Sequence, residues 1–444
     1  MSLSRFTSDD KEYKYKILIY PNITFQKDLE KDSYVVVLGN IIKELNKIRT
    51  DLHWTILSPE LIPSLQFDNT DQLIVPQISY PNSMRMSFPF KEVFDMLDWK
   101  HNDYDIVYSH LPEHTGQLKN LLFNTTDICP TIIGYTHWTE FKEITNYEYE
   151  VGLAFNIIGL LQMDKCGINT QAQKELVLKN AKEHFNDDVI KQLDKILEPH
   201  YLGWETPEYE QQTTDKNIIV YNHRPHTYKN YPWFLEQMDK LYEERQDFEV
   251  WVPLADKKEK DYMTIDKYDR FGYFSKLSSC KVGVCCKQKY EGWAVSATDG
   301  MSVGVPYMFS DDGSYHELAD EAGIYYKGSD DFLKLMNKAL DDKEFRNEYS
   351  EKSLQRFKDS KWEKQIQRIN DTFNSAISNL RPIKETESYN KIVEFIRTKK
   401  SVTKNEILLH MGWGVRIGFT TYRNRLRNEK DIKFTKNRYE VINK

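Results

Sequence analysis

Two carboxylates, Glu291 and Asp299, stand eight residues apart in the stretch 288-QKYEGWAVSATDGMSVGVPYMFSDDG-313. Gly292, Gly300, Gly304 and Pro306 surround them, and apolar runs flank the segment. The pattern predicts a strand, VGVCC, a loop, KYEGWA, a short helix, SATDGMSV, and a second strand, VPYMFS. Gly304 suits the left-handed position that ends a helix, and Pro306 forbids its continuation. Glu291 then sits at a strand exit, where its carboxylate can accept hydrogen bonds from a sugar hydroxyl. Asp299 lies on the helix behind it and can take a ribose diol. The free N–H groups at the helix start, near Gly292 to Ser296, suit a bound phosphate. The plainer alternative is that both acids are solvated loop and helix side chains.

These residues need a scaffold, and the chain is long enough to supply one. At 444 residues, 40% hydrophobic, 29% charged and 13% aromatic, it suits two or three globular domains. It has no apolar run of membrane-spanning length, so no membrane association is expected. The first residues, MSLSRFTSDDKEYKYK, are polar and lack a signal-type apolar region. Five cysteines (Cys129, Cys166, Cys280, Cys285, Cys286) form no CxxC pair and no cluster with histidine. They point to reduced thiols in a cytoplasm, that of the host if the source is viral, and against structural zinc. Cys285 and Cys286 read as buried strand residues.

Short β-type runs alternate with amphipathic stretches through the first half: KILIYP (16–21), WTILSP (54–59), LIVPQI (73–78), DIVYSH (105–110) and TIIGYTH (131–137). The pattern restarts after Pro207 with NIIVYN (217–222), FEVWVPL (248–254), CKVGVCC, VPYMFS and GIYYKG. Strands alternating with helices predict parallel sheets covered on both faces, hence two α/β domains, 1–205 and 206–380, joined by the polar linker GWETPEYEQQTTDK. Ligands of such sheets lie beyond the carboxyl ends of the strands.

With the elements placed, the segment around Glu291 resembles the Glu-x7-Glu signature of retaining glycosyltransferases of the GT-B fold, the glycogen-synthase-like and sucrose-synthase-like group. Glu291, Gly292, Trp293, Asp299, Gly300, Met301, Ser302, Gly304 and Pro306 follow its pattern. Ala294 replaces a glycine, and Asp299 replaces the second glutamate with a side chain one methylene shorter. The resemblance covers residues 130–380 well and the first 130 in architecture only.

It implies two facing Rossmann-like domains, with helix 361–380 closing back on the first. It also implies an Arg and a Lys after the first strand of the second domain, which 221-YNHRPHTYKNYPWFL-235 supplies as Arg224 and Lys229. Fixed cations there would stabilise a leaving nucleoside diphosphate. His137, at the strand end in GYTHW, falls near the donor sugar or acceptor, and Glu317 falls at an acid usual in the family. Glu291, His137, Arg224 and Lys229 are thus the implied catalytic set. Arg224, Lys229, Glu291, Gly292, Trp293, Ala294 and Asp299 are the implied nucleotide-sugar set. The implied reaction retains anomeric configuration, uses the leaving phosphate as base and needs no metal or further cofactor. UDP-glucose is the default donor. Asp311-Asp312 and Asp330-Asp331 read as ordinary loop acids.

Formal charge is −7, yet residues 385–444 carry about twice as many Lys and Arg as Asp and Glu, roughly +7, leaving about −14 for the rest. Within 383–444, SYNKIVEFIRTKK, VTKNEILLHMGW and GFTTYRNRLRNEK read as helices and DIKFTKNRYEVI as a β-ribbon. This order resembles a winged helix-turn-helix. Thr420, Arg423, Arg425 and Arg427 on its third helix, with Lys433, Lys436 and Arg438 on the ribbon, suit double-stranded DNA; a solvated basic helix or a protein-binding wing is the alternative. The combined expectation is transfer of a sugar to a hydroxymethylated DNA base, as in bacteriophages that glycosylate their genomes. The alternatives are an acceptor that is a cell-surface glycan, lipid-linked saccharide or small metabolite, and an inactive transferase fold serving as a DNA-binding regulator.

Overall fold

A computed structural model describes residues 5–6, 13–23, 29–78, 87–97, 104–125, 130–137, 147–288, 293–380, 387–411, 426, 429, 431–435 and 438–442. The first sheet contains β1 (Arg5–Phe6), β2 (Tyr15–Tyr20), β3 (Leu52–Ser58), β4 (Thr70–Ile74), β5 (Ile106–Ser109), β6 (Thr131–Thr136), β7 (Lys165–Ile168) and β8 (Leu197–Pro199). Its order is β1-β4-β3-β2-β5-β6-β7-β8. The pairs from β4 through β6 are parallel, and β1 is added antiparallel at the edge. Helices α1 (Ser33–Ile48), α2 (Phe90–Met96), α3 (Pro112–Thr125), α4 (Tyr147–Leu160), α5 (Gln171–Ala181) and α6 (Asp187–Ile196) alternate with the strands. Each of these turns on local chemistry. Asp32, for example, caps α1 by accepting the N–H of Tyr34 at 2.8 Å.

The second sheet runs β11-β10-β9-β12-β13-β14. Its strands are β9 (Asn217–Val220), β10 (Phe248–Trp251), β11 (Met263–Thr264), β12 (Val282–Cys285), β13 (Tyr307–Ser310) and β14 (Gly323–Tyr326). Every neighbouring pair is parallel. Helices α7 (Tyr231–Glu244), α8 (Arg270–Leu277), α9 (Val295–Ser302), α10 (Gly313–Ala319), α11 (Gly328–Asp341) and α12 (Lys343–Asp359) accompany it, and α13 (Trp362–Ser378) follows them in the chain. Strand alternation sends Ile219, Val250, Val282 and Val284 into one buried cluster, and Ile218, Val220, Trp251 and Cys285 into another. A sheet apolar on both faces is what helices on both faces require. Cys285 and Cys286 are both buried, one facing each cluster, as the apolar run predicts.

By compactness the chain divides into residues 1–135 with 154–166 and 371–444, and residues 136–153 with 167–370. Within the first unit Phe373 packs edge-on against Trp54 and Tyr108, with ring centroids at 5.6 and 5.2 Å. Beyond α13 come α14 (Glu387–Lys399), β15 (Ser401–Thr403), α15 (Lys404–His410), β16 (Ile432–Thr435) and β17 (Arg438–Val441). The strands form an antiparallel sheet of order β15-β17-β16 around a core of Ile392, Ile396, Val402, Ile407, Leu426 and Tyr439. Strand β15 is an addition to the predicted ribbon. Thr403 and Glu406 form a reciprocal capping box that starts α15. No helix among the described residues is long and apolar enough to cross a membrane.

Candidate functional site

The site residues of the second sheet sit where adjacent strands end. β9 and β12 are neighbours, pairing Ile219 with Val282 and Val220 with Gly283. The chain leaving β9 therefore runs beside the chain leaving β12. After β9, Asn222 and His223 are buried and Arg224 is exposed. A 3-10 turn over Thr227–Lys229 then carries the chain to Asn230, which takes a left-handed conformation (φ 57°) before α7 begins. The Tyr221 hydroxyl donates to the Lys229 carbonyl at 3.0 Å and anchors the turn to the strand end.

This turn aims Lys229 inward. Its ammonium donates to Gln288 Oε1 at 2.5 Å, just beyond the exit of β12, and no acid pairs with it among the described residues. Burial drives its pKa from 10.5 to about 8, partly opposed by the Cys285 thiol and reinforced by the Arg224 charge. Arg224 likewise has no acidic partner among the described residues. A desolvated lysine beside an arginine, with no counter-charge among the described residues, is electrostatically incomplete. The arrangement can accept an anion. His223 next to it is held neutral, its pKa lowered to about 3 by burial and by Lys229.

Residues 289–292 lie outside the described residues, so Glu291 and Gly292 have no placement here. Ala294 occupies the N-cap of α9 and offers no side-chain cap. Trp293 stacks on Tyr201 with centroids 5.9 Å apart, and its buried indole nitrogen has no partner among the described residues. The end of α9 is as predicted. Gly304 has φ +82°, the N–H of Val305 reaches the Gly300 carbonyl at 3.0 Å, and that of Gly304 reaches Met301 at 3.1 Å. This is a Schellman closure, which a residue with a Cβ would strain.

Asp299 sits on α9 with Oδ2 3.3 Å from the Tyr273 hydroxyl. Burial pushes its pKa up to about 7, opposed by the Arg270 charge and the Tyr273 hydrogen bond and reinforced by Glu205. Asn222, Tyr273 and Tyr307 were not singled out by sequence reasoning. The Asn222 amide accepts from Tyr307 at 3.0 Å and donates to Tyr273 at 2.8 Å and to the Ser296 carbonyl at 2.6 Å. The available signal was glycine. A Cβ at Gly283 or Gly300 would come within 2.2 or 2.1 Å of the Tyr307 ring, so two interior glycines clear its space. A cavity of about 380 Å3 lies beyond β13 and β14, lined by Asn230, Trp233, Lys287, Asp312 and Lys327 among others.

His137 follows β6 and is buried; its carbonyl accepts from Asn169 at 2.6 Å and Gln173 at 3.4 Å. Glu317 works as a helix cap. Its carboxylate takes the N–H groups of Gln171 and Ala172, both at 2.7 Å, and the Tyr201 hydroxyl at 3.0 Å. Asp311 is tied to His316 at 2.6 Å and Lys327 at 2.9 Å, and Lys287 to Asp312 at 3.2 Å. Among the described residues no three of His, Cys, Asp or Glu gather as a metal-binding group.

In the C-terminal segment Thr420, Arg423, Arg425, Arg427 and Lys436 lie outside the described residues. Lys433 is exposed on β16. Arg438 is committed within the fold: it donates to the Ser401 hydroxyl at 2.8 Å and carbonyl at 3.1 Å.

No family model matches the chain, and no curated protein matches it. Solved structures do. A sucrose-phosphate synthase from Thermosynechococcus elongatus aligns with TM-score 0.61 at 12% identity, over 82% of this chain and 99% of that one. Anabaena HepE, solved in complex with UDP and glucose, gives 0.58 at 11%, over 81% and 100%. An α,α-trehalose 6-phosphate synthase from Burkholderia multivorans gives 0.57 at 8%, over 83% and 98%. At such low identity the likeness speaks to fold, and the chain has that fold: two parallel-sheet Rossmann-like α/β domains of the GT-B type.

Proposed function

We propose that the chain is a glycosyltransferase that moves a sugar, by default glucose, from a nucleotide-sugar donor to a hydroxyl with retention at the anomeric carbon. The observation that carries this reading is Lys229, a half-buried lysine with a desolvated ammonium next to Arg224 and no acidic partner among the described residues. A diphosphate supplies the missing charge, and its charge grows as the glycosidic bond breaks, so the same cations favour the transition state over the ground state. In this reading Glu291 holds the sugar, Asp299 the ribose, and His137 lies near the sugar or acceptor. Charge stabilisation falls to Arg224 and Lys229, with no metal. The solved relatives in complex with UDP and glucose, and with UDP-glucose, support the donor class.

Residues 1–205 form the acceptor domain of this proposal, 206–380 the donor domain and 383–444 a winged-helix-like module that holds duplex DNA. The acceptor is a hydroxymethylated base, presented by flipping. The basic balance of 385–444 and the exposed Lys433 support it. The structural likeness to synthases of sucrose phosphate and trehalose 6-phosphate favours a second reading, a small saccharide acceptor. Incubation with labelled UDP-glucose and duplexes containing hydroxymethylcytosine or hydroxymethyluracil, against plain DNA, separates them. Label on the modified duplex supports the first; label only on saccharides, glycans or lipids rejects it.

A further inference from the structure

The chain Tyr307–Asn222–Tyr273–Asp299, buried at its first two members and half-buried at the last two, joins β13, the exit of β9, α8 and α9 through 3.0, 2.8 and 3.3 Å hydrogen bonds. Its direction follows from chemistry. An amide nitrogen only donates, so Asn222 gives a proton to the Tyr273 oxygen while its own oxygen accepts from Tyr307. The proton of Tyr273 is then left for Asp299 Oδ2. Among the described residues no hydrogen bond reaches Oδ1. One oxygen of the carboxylate is thus tied down and the other left for a ligand. Asn222 lies two residues before Arg224, so the same amide that orients Tyr273 stands at the root of the cationic loop.

We propose that Tyr273 is the positioning residue for ribose recognition: its hydroxyl holds the short Asp299 side chain so that the free carboxylate oxygen binds the 2′-hydroxyl of a ribonucleoside diphosphate. This rests on the donor reading above. The charged groups around Asp299 are Arg270 of α8 and Glu205 of the preceding linker, paired with each other at 2.8 Å. Asp299 must be ionised to accept a hydroxyl proton strongly, and its pKa is about 7. Ribose recognition therefore weakens as pH falls through about 7. Removing the Tyr273 hydroxyl takes away a hydrogen bond that lowers this pKa, so the loss sets in at higher pH.

The experiment is calorimetric titration of the full chain with UDP and with 2′-deoxy-UDP between pH 6 and 8. The affinity ratio cancels the titration that both nucleotides share. Wild type should prefer UDP by about tenfold at pH 8, the worth of one charge-assisted hydrogen bond, and should lose that preference toward pH 6. In Tyr273→Phe the ratio should fall to about twofold or less at pH 7 and recover only toward higher pH. In Tyr307→Phe, which cuts the same chain one step further back, it should stay at the wild-type value. An unchanged ratio in Tyr273→Phe overturns the proposal, as does an equal loss in Tyr307→Phe. Should Tyr273→Phe fail to fold, a wild-type ratio flat from pH 6 to 8 overturns it. Binding of both nucleotides without preference refutes ribose recognition alone. Binding of neither refutes the donor reading as well.

Discussion

Replacing Lys229 by Met should stabilise the protein at neutral pH while weakening its affinity for UDP. The folded state lowers the lysine pKa from 10.5 to about 8, with burial the largest cause. At about 1.4 kcal/mol per unit, holding the charge costs the native state about 3 kcal/mol at pH 7. Met keeps the apolar stem and removes the ammonium. It also leaves Gln288 Oε1 without its donor, a loss of about 1–2 kcal/mol. The balance is a gain of about 1–2 kcal/mol, or roughly 2–8 °C in Tm for a cooperative unit of this size. The pH dependence has a definite sign. Between pH 8 and 10.5 the unfolded chain binds the proton and the folded chain does not, so wild-type stability rises with pH in that window. The advantage of the Met variant should shrink across it, vanish at about pH 9 and reverse toward the upper end, where only the lost Gln288 hydrogen bond remains. Calorimetric melting from pH 7 to 10.5, with and without UDP, reads all of this. UDP at a hundredfold excess over Kd should stabilise wild type by about 2.7 kcal/mol and the variant hardly at all. A variant less stable than wild type at pH 7, yet stabilised equally by UDP, would refute the reasoning.

Other consequences follow from the same geometry. Gly300→Ala should destabilise by about 3 kcal/mol in urea titration, because the new Cβ would lie 2.1 Å from the buried Tyr307 ring. Glu317→Gln should weaken the start of α5, lowering stability by about 1–2 kcal/mol, while UDP affinity stays unchanged; a loss of UDP binding would contradict a purely structural role for Glu317. Asp299→Asn should gain stability relative to wild type as pH rises from about 4 to 7, since a carboxyl whose pKa is raised by burial destabilises the fold above that range; equal pH profiles would contradict its burial. Deleting residues 383–444 should abolish salt-dependent binding to duplex DNA, measured by fluorescence anisotropy at several ionic strengths, and retained affinity would remove the module from the acceptor reading.

The strands that carry the site were legible because apolar runs of four to seven residues end at Asn222, Lys287 or Ser310, where polar loops begin. Strands β7 and β15 escaped notice: KCGI and SVT are too short and mixed to show a period. The cost of missing β15 was specific. Arg438 reads as a free ribbon cation until β15 is known to pair with its strand, Thr403 lying across from it and Ser401 accepting its guanidinium. Glu317 matched an acid usual in the family by its position after the acidic motif. Only the fold brings it to the N-terminus of α5, about 145 residues away in sequence. The same holds for Asn222, Tyr273 and Tyr307, because a buried polar network is a property of four elements meeting and not of any local pattern. Arg224 and Lys229 were legible from their spacing, but spacing could not reveal that the lysine ammonium would be desolvated with no acidic partner among the described residues.

The central claim is that these two cations bear the charge of a departing diphosphate, and UDP release from UDP-glucose measures it most directly. Single-turnover kinetics should show Arg224→Ala and Lys229→Met losing about 100-fold or more in the bond-breaking step at saturating donor, the scale expected when a fixed transition-state contact is removed. Bond cleavage at the wild-type rate in both variants would contradict the account.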